Sequence, residues 1–143
     1  MKIRAYQDPD EANVVQLWTE CGLVKPWNDP HKDIRRKLSV QPELFLVGEI
    51  DATVIATIMA GFDGHRGWVN YMAVAPSSRK RGVGRALMQR IEDDLRAMGC
   101  PKLNLQVRST NADVLAFYRR LGYAPDDAVS LGKRLIPDGG QKP

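Results

Sequence analysis

Two rhythms of apolar residues run through the chain. Val83, Leu87, Ile91, Leu95 and Met98 recur at helical spacing, and Gly99 and Pro101 stop the run, so a helix is predicted there. Just before it, residues 68–74 are rich in bulky, β-branched and aromatic side chains, with Pro76 as punctuation, which predicts a strand. A tight basic loop carrying Gly82 and Gly84 joins the two.

The same reading extends to both ends. Residues 1–6 form a short first strand. Asp8, Pro9 and Glu11 mark a helix start, with Asp8 as cap and Glu11 where a capping-box acid stands. Val14, Leu17, Trp18 and Cys21 give that helix its buried stripe, and Gly22 ends it. A connector over 23–30 holds Pro26, Trp27 and Pro30. A second helix follows from Pro30 to about Val40, capped by Asp29, with Ile34 and Leu38 inward.

Strands are predicted at 44–50 and 53–61, a hairpin about Asp51 and Ala52. Residues 62–67 turn the chain into the strand at 68–74. Residues 102–108 form a further strand, parallel to 68–74 because a helix crosses between them. A helix starting at 109–113 carries Asn111, Val114, Leu115 and Tyr118 on one face and ends at Gly122. Residues 123–124 and 129–136 read as closing strands. The order β-α-α-β-β-β-α-β-α-β-β predicts an α/β fold with one mixed, mostly antiparallel sheet flanked by helices.

The loop between strand and helix has chemistry of its own. The first N–H groups of a helix lack intrahelical partners, and the aligned peptide dipoles leave positive charge there. Glycines at 82 and 84 let a phosphate approach the main chain, and Arg79, Lys80, Arg81 and Arg85 add full charge. A ligand with at least one phosphate, and more simply a pyrophosphate, fits this pattern. A Walker loop would need Gly-Lys-Ser/Thr after Gly84. A dinucleotide fingerprint would need a small residue where Leu87 stands.

Composition narrows the classes. With 43% apolar and 27% charged residues, the chain is an ordinary globular one, and 1–143 reads as a single domain with a disordered tail from about 138. No apolar run is long enough to cross a membrane, and there is no secretory leader, so a cytoplasmic protein is expected. Cys21 and Cys100 have no metal-ligand spacing, so reduced thiols and no metal are expected. The net charge of +4 could suit a nucleic acid. The basic loop accounts for the excess, and a small anionic cofactor is favoured over nucleic acid.

Arg79-x-x-Gly82-x-Gly84 after Val74-Ala75-Pro76 resembles the acetyl-CoA loop of the GNAT N-acetyltransferases. Asn111 with Tyr118, in Asn-x6-Tyr-x3-Leu-Gly-Tyr, is a second match, and the element order is that of the GNAT fold over nearly the whole chain. Residues 27–30, 64–67 and 131–136 are similar to the YpeA-type bacterial acetyltransferases. The resemblance implies an acetyl-CoA-dependent transfer to a primary amine, by direct attack in a ternary complex. It implies that the two parallel strands splay and that pantetheine lies in the gap against main-chain groups of Met72, Ala73 and Val74. Arg79, Lys80, Arg81, Gly82, Val83, Gly84 and Arg85 would hold the pyrophosphate. Asn111 would bond the pantetheine arm or merely cap its helix. Tyr118 would be the general acid, a phenol that stays protonated at neutral pH.

The general base is open. Residues 68–74 contain no acid, and Gln106, where peptide-directed relatives often carry Glu, cannot serve. Glu49, Asp63, His65, Tyr71 or a water chain remain. Asp29 and Asp63 could attract a cationic amine, although capping and turn formation are the simpler roles. Trp27 is either a plug under the first helices or a lip over the acceptor. A non-catalytic acyl-CoA sensor on the same fold is the alternative function. The acceptor and the oligomeric state, including a homodimer, are not legible.

Overall fold

The computed structural model describes residues 1–140. One five-stranded sheet runs in the order β1 (Lys2–Ala5), β2 (Phe45–Ile50), β3 (Thr53–Phe62), β4 (Gly67–Val74), β5 (Leu103–Leu105). All neighbours are antiparallel except β4 and β5, which are parallel. Helices α1 (Glu11–Glu20) and α2 (Pro30–Leu38) cover one face, and α3 (Val83–Ala97) and α4 (Ala112–Arg120) the other.

Alternation in β2 feeds both cores. Leu44 and Leu46 pack with Leu87, Met88, Ile91 and Leu95 of α3, while Phe45 and Val47 pack with Val14, Leu17 and Trp18 of α1 and Ile34 of α2. The β2–β3 hairpin turns on Asp51 and Ala52, both at positive φ, as a two-residue turn that follows strand twist requires. Asp29 caps α2 by accepting from the His31 and Lys32 N–H groups.

Three expectations need correction. Asp8 does not cap α1: it opens a short 3-10 turn over Asp8–Asp10, and Asp10 is the acid that reaches back, accepting from the Gln7 N–H at 2.9 Å. Asp10 also takes both Arg4 guanidinium nitrogens, at 2.8 and 2.9 Å. Met98, expected within the helix as the last of its apolar run, is instead the residue that caps the end of α3, and it is 40% exposed.

The third correction concerns the closing strands at 123–124 and 129–136, which do not form. Pro125 lacks an N–H for a ladder, and Asp126 and Asp127 are poor strand residues. Side-chain bonds replace the ladder: Lys102 and Asn104 donate to Asp126, and Gln106 to Ser130. Val129, Leu131, Leu135 and Ile136 are from 65% to 91% exposed. The tail expected to be disordered from about 138 begins with a held residue, since Asp138 bonds Arg36 and the Asp29 N–H. Residues 141–143 lie outside the described residues.

Candidate active site

β4 and β5 part company half-way along. Only Gly67, Trp68 and Val69 pair with Leu103, Asn104 and Leu105, yet β4 continues to Val74. From Asn70 onward the β5-facing side of β4 has no strand partner among the described residues. The expected splay is present, and Met72, Ala73 and Val74 lie along it.

A bulge sits at the point of divergence. Thr57 faces Ala73 and Met59 faces Asn70, so β4 carries one extra residue there. Tyr71 has φ +49, an uncommon conformation for a side-chain-bearing residue. Three groups hold it. Its ring stacks on Trp18 at 3.8 Å, its carbonyl accepts from Thr57 Oγ1 at 2.8 Å, and its hydroxyl donates to Asp33 at 2.6 Å. Thr57 in turn accepts from the Trp18 indole N–H at 2.8 Å. The bulge thus rests on a polar network in an otherwise apolar core, in which each buried polar group has a partner.

At the far end of the split lies the basic loop. Gly82 is the residue before α3 and has φ +79; a Cβ there would meet no atom within 4 Å, so its face is open. The first ladder bond of α3 runs from Ala86 N–H to Gly82 carbonyl, and no side chain caps the helix. The N–H groups of Val83, Gly84 and Arg85 therefore precede the ladder. Lys80, Arg81 and Arg85 are exposed around them. Gly84 differs from Gly82: a Cβ would meet Met72 Cε and Phe117 Cζ at 3.0 Å, so this glycine lets α3 close on β4 and α4. Arg79 also differs from its neighbours. Its Nε donates to the Val74 carbonyl at 3.0 Å, tying the loop to the end of β4.

Asn111 caps α4, accepting from the Val114 N–H at 3.3 Å, and its amide group is exposed. Tyr118 lies two turns along, buried among Val83, Leu87 and the α4 side chains, with Phe117 and Tyr123 edge-on to its ring. Burial pushes its hydroxyl up to about 12.

Most of the candidate bases are engaged elsewhere. Glu49 pairs with Arg4 at 3.2 Å. Asp63 accepts from the His65 and Arg66 N–H groups and shapes the turn before β4, at the closed end of the split; those bonds hold its carboxyl below the usual range. His65 is exposed in that turn. Burial and then the Asp33 bond push the Tyr71 phenol above its ordinary value, which disfavours the phenolate a base would need. Trp27 is half-buried and belongs to neither core cluster.

A cleft of about 570 Å³ opens on the α1–α2 face, lined by Asn28, Asp33, Arg36, Lys37, Asn70 and Tyr71 among others. The bulge makes its floor, because it sets the consecutive residues Asn70 and Tyr71 side by side on this cleft. Lys37 donates Nζ to the Ala60 carbonyl, and burial lowers its pKa.

Residues 11–123 match the model of the Acetyltransferase (GNAT) family. The chain belongs to the GNAT acetyltransferase family. It is 49% identical over 138 residues to an acetyltransferase of Yersinia pestis, covering 96% of this chain and 98% of that one. An acetyltransferase of Pectobacterium atrosepticum is 46% identical with the same coverage. The structure of AAC(6')-Iy, in complex with the bisubstrate analogue CoA-S-monomethyl-acetylneamine, superposes with a TM-score of 0.78 at 16% identity, covering 94% of this chain and 98% of that one. That likeness is one of fold.

In this GNAT acetyltransferase three features lie together: an open glycine, unladdered N–H groups ringed by cations and, among the described residues, a strand edge without a strand partner. Among the described residues no cluster of three or more His, Cys, Asp or Glu is placed to hold a metal, and no helix is long and apolar enough to cross a membrane. The sequence reading missed Asp33, Arg36, Lys37 and Asn70. The signal for the first three was present, since residues at 33, 36 and 37 share one face of a helix. No sequence pattern marked the bulge that brings Asn70 to them.

Proposed function

We propose that this enzyme moves the acetyl group of acetyl-CoA to a primary amine by direct attack within a ternary complex. The observation that carries the proposal is the split between β4 and β5, which ends at a helix N-terminus gated by Gly82. N–H groups from Gly82 to Arg85, with Lys80, Arg81 and Arg85, bind the pyrophosphate. Arg79 acts by fixing the loop to Val74. The free edge at Met72, Ala73 and Val74 bonds the pantetheine arm as a missing strand would, and the Asn111 amide, free on its nitrogen, adds a further bond.

The acceptor enters from the cleft above Asn70 and Tyr71. Its neutral amine attacks the thioester carbon, the C–N bond forms, and the oxyanion is met by a main-chain N–H of β4. The C–S bond then breaks, and the sulfur takes the Tyr118 proton. Burial keeps that proton in place at neutral pH. With Glu49, Asp63 and Tyr71 engaged, the amine gives up its proton through water. The free thiols Cys21 and Cys100 suit a cytoplasmic setting.

Single-turnover transfer to a panel of amines, with thiol detection of released CoA, tests the proposal. Calorimetry with acetyl-CoA tests its first half. Binding without transfer to any amine would replace this reading with the acyl-CoA sensor. No heat with either CoA or acetyl-CoA would remove the loop assignment.

A further inference from the structure

The tail of the chain reaches a residue that lines the acceptor cleft, Arg36, and places a carboxylate on it. Arg134 donates to Asn28 Oδ1, and four residues on, Asp138 meets Arg36. Arg36 Nη1 donates to Asp138 Oδ2 at 3.1 Å and Nη2 to Oδ1 at 2.5 Å, a two-pronged guanidinium–carboxylate contact. The Asp29 N–H donates to the same Oδ2 at 3.0 Å. The Asp138 side chain has 0% of its surface exposed.

Arg36 and Asn28 both line the cleft whose floor is Asn70 and Tyr71. The guanidinium that holds the carboxylate is therefore part of the pocket wall, and Asn70 and Tyr71 of β4 line the same pocket. Arg36 also donates to Asp33 at 3.1 Å, and Lys32 adds positive charge near Asp138. The Arg36 contact, then the Asp29 N–H, hold the Asp138 carboxyl well below the usual range.

Among the described residues the hydrogen bonds that hold the tail are made by its side chains, while the Gly140 main chain packs on Pro26. Residues 124–138 form no helix or strand, and the large apolar side chains flanking Arg134 are solvent-exposed. A short tethered carboxylate competes at an effective concentration on the order of millimolar. A free ligand that adds contacts at the opposite end of the cleft can displace it.

We propose that Arg36 and the Asp29 N–H form a carboxylate subsite of the acceptor cleft, that Asp138 fills it as a displaceable stand-in, and that the acceptor amine carries a carboxylate of its own. The last part rests on the acetyl-transfer reading above; the subsite does not. Occupancy by Asp138 lowers the apparent affinity for a free carboxylate by the fraction of chains whose subsite is open.

The test uses the full chain and glutarate, a dicarboxylate without an amine, with glutaramide as its neutral control at fixed ionic strength. By calorimetry, Asp138→Asn should bind glutarate at least ~10-fold tighter than wild type. Adding Arg36→Gln to that variant should abolish the gain, and glutaramide should bind neither. Equal glutarate affinity in wild type and Asp138→Asn, or a gain that survives Arg36→Gln, overturns the subsite. Should the variants not fold, the wild type still decides: excess glutarate should shift the Asp29 amide resonance, and an unmoved resonance refutes the proposal. For the acceptor, Asp138→Asn should lower KM for 5-aminovalerate several-fold and leave KM for its amide unchanged; an equal change in both overturns the acidic-acceptor assignment. Glutarate binding that responds as stated, in a protein that transfers acetyl to no amine, would keep the subsite and discard the transferase reading.

Discussion

The Tyr71 hydroxyl donates to Oδ2 of Asp33 at 2.6 Å, linking the bulged residue of β4 to the middle of α2. That bond joins the strand that splits from β5 to the helix that walls the cleft on the α1–α2 face. Tyr71→Phe keeps the ring on Trp18 and leaves Asp33 one donor short. The expected cost is about 1–2 kcal/mol in urea unfolding. Thr57→Val removes two buried bonds at once, to Trp18 and to the Tyr71 carbonyl, and should cost more than Tyr71→Phe. The reverse order would mean that the bulge does not depend on this network.

Tyr118→Phe should lower kcat by about 10²-fold or more, as expected for loss of a general acid, with acetyl-CoA affinity changed no more than a few-fold. Unchanged turnover removes Tyr118 from the mechanism. The wild-type rate should also show no alkaline fall from this group at neutral pH, because its hydroxyl is pushed up to about 12. The sign for stability follows from the same shift. The folded value lies above the unfolded value of 10.0, so the contribution is full below 10.0 and is lost as pH rises through about 12.

Gly82 and Gly84 should fail in different ways. Gly82→Val places a β-branched residue at φ +79 on an open face, costing about 1–2 kcal/mol of backbone strain and covering the phosphate approach. Acetyl-CoA affinity should fall far more than stability, read by calorimetry against thermal unfolding. Gly84→Ala drives a Cβ into Met72 and Phe117, so its main effect should be a loss of stability. Equal profiles for the two variants would contradict the assignment.

Asp10 gives the acid side of the stability curve. The Arg4 bond, more than any other cause, holds its carboxyl below the ordinary 3.8. A depressed folded value means stability that is present above 3.8 and lost as pH falls below it. Asp10→Asn should cost about 2 kcal/mol at pH 7, typical of a charged hydrogen bond. The gap between variant and wild type should close as pH falls below 3.8. A gap constant with pH would show that the cost comes from packing instead.

Much of the fold could be read from local signals. Asp29 before Pro30, the Asp51–Ala52 turn and the spacing of Val83, Leu87, Ile91 and Leu95 each have one dominant cause, and each stands where expected. The glycine turn that opens α3 was legible for the same reason. The closing strands were not: alternation at 129–136 promised a ladder, but Pro125, Asp126 and Asp127 weaken the pairing, and Arg134 and Asp138 draw the segment toward α2. The cleft on the α1–α2 face was illegible because its lining comes from a helix face and a bulge, with the tail bonded to one wall. Only tertiary contacts bring Asp33 and Asn70 into one cleft and join Asp138 to it through Arg36.

The bulge in β4 has a consequence for insertions and deletions. Val69 and Ala73 are four residues apart, so unbroken pleating would point them the same way; instead Val69 packs under α3 and Ala73 under α1. The strand changes phase at residues 70–71. Removing one residue there would restore regular pleating with Val69 still toward α3 and Ala73 still toward α1, and would cost only the side-by-side placement of Asn70 and Tyr71 on the α1–α2 face. Shortening the strand by one at this point would thus spare both cores and remove the floor of the cleft, whereas the same deletion elsewhere in β4 would throw core residues to the wrong face.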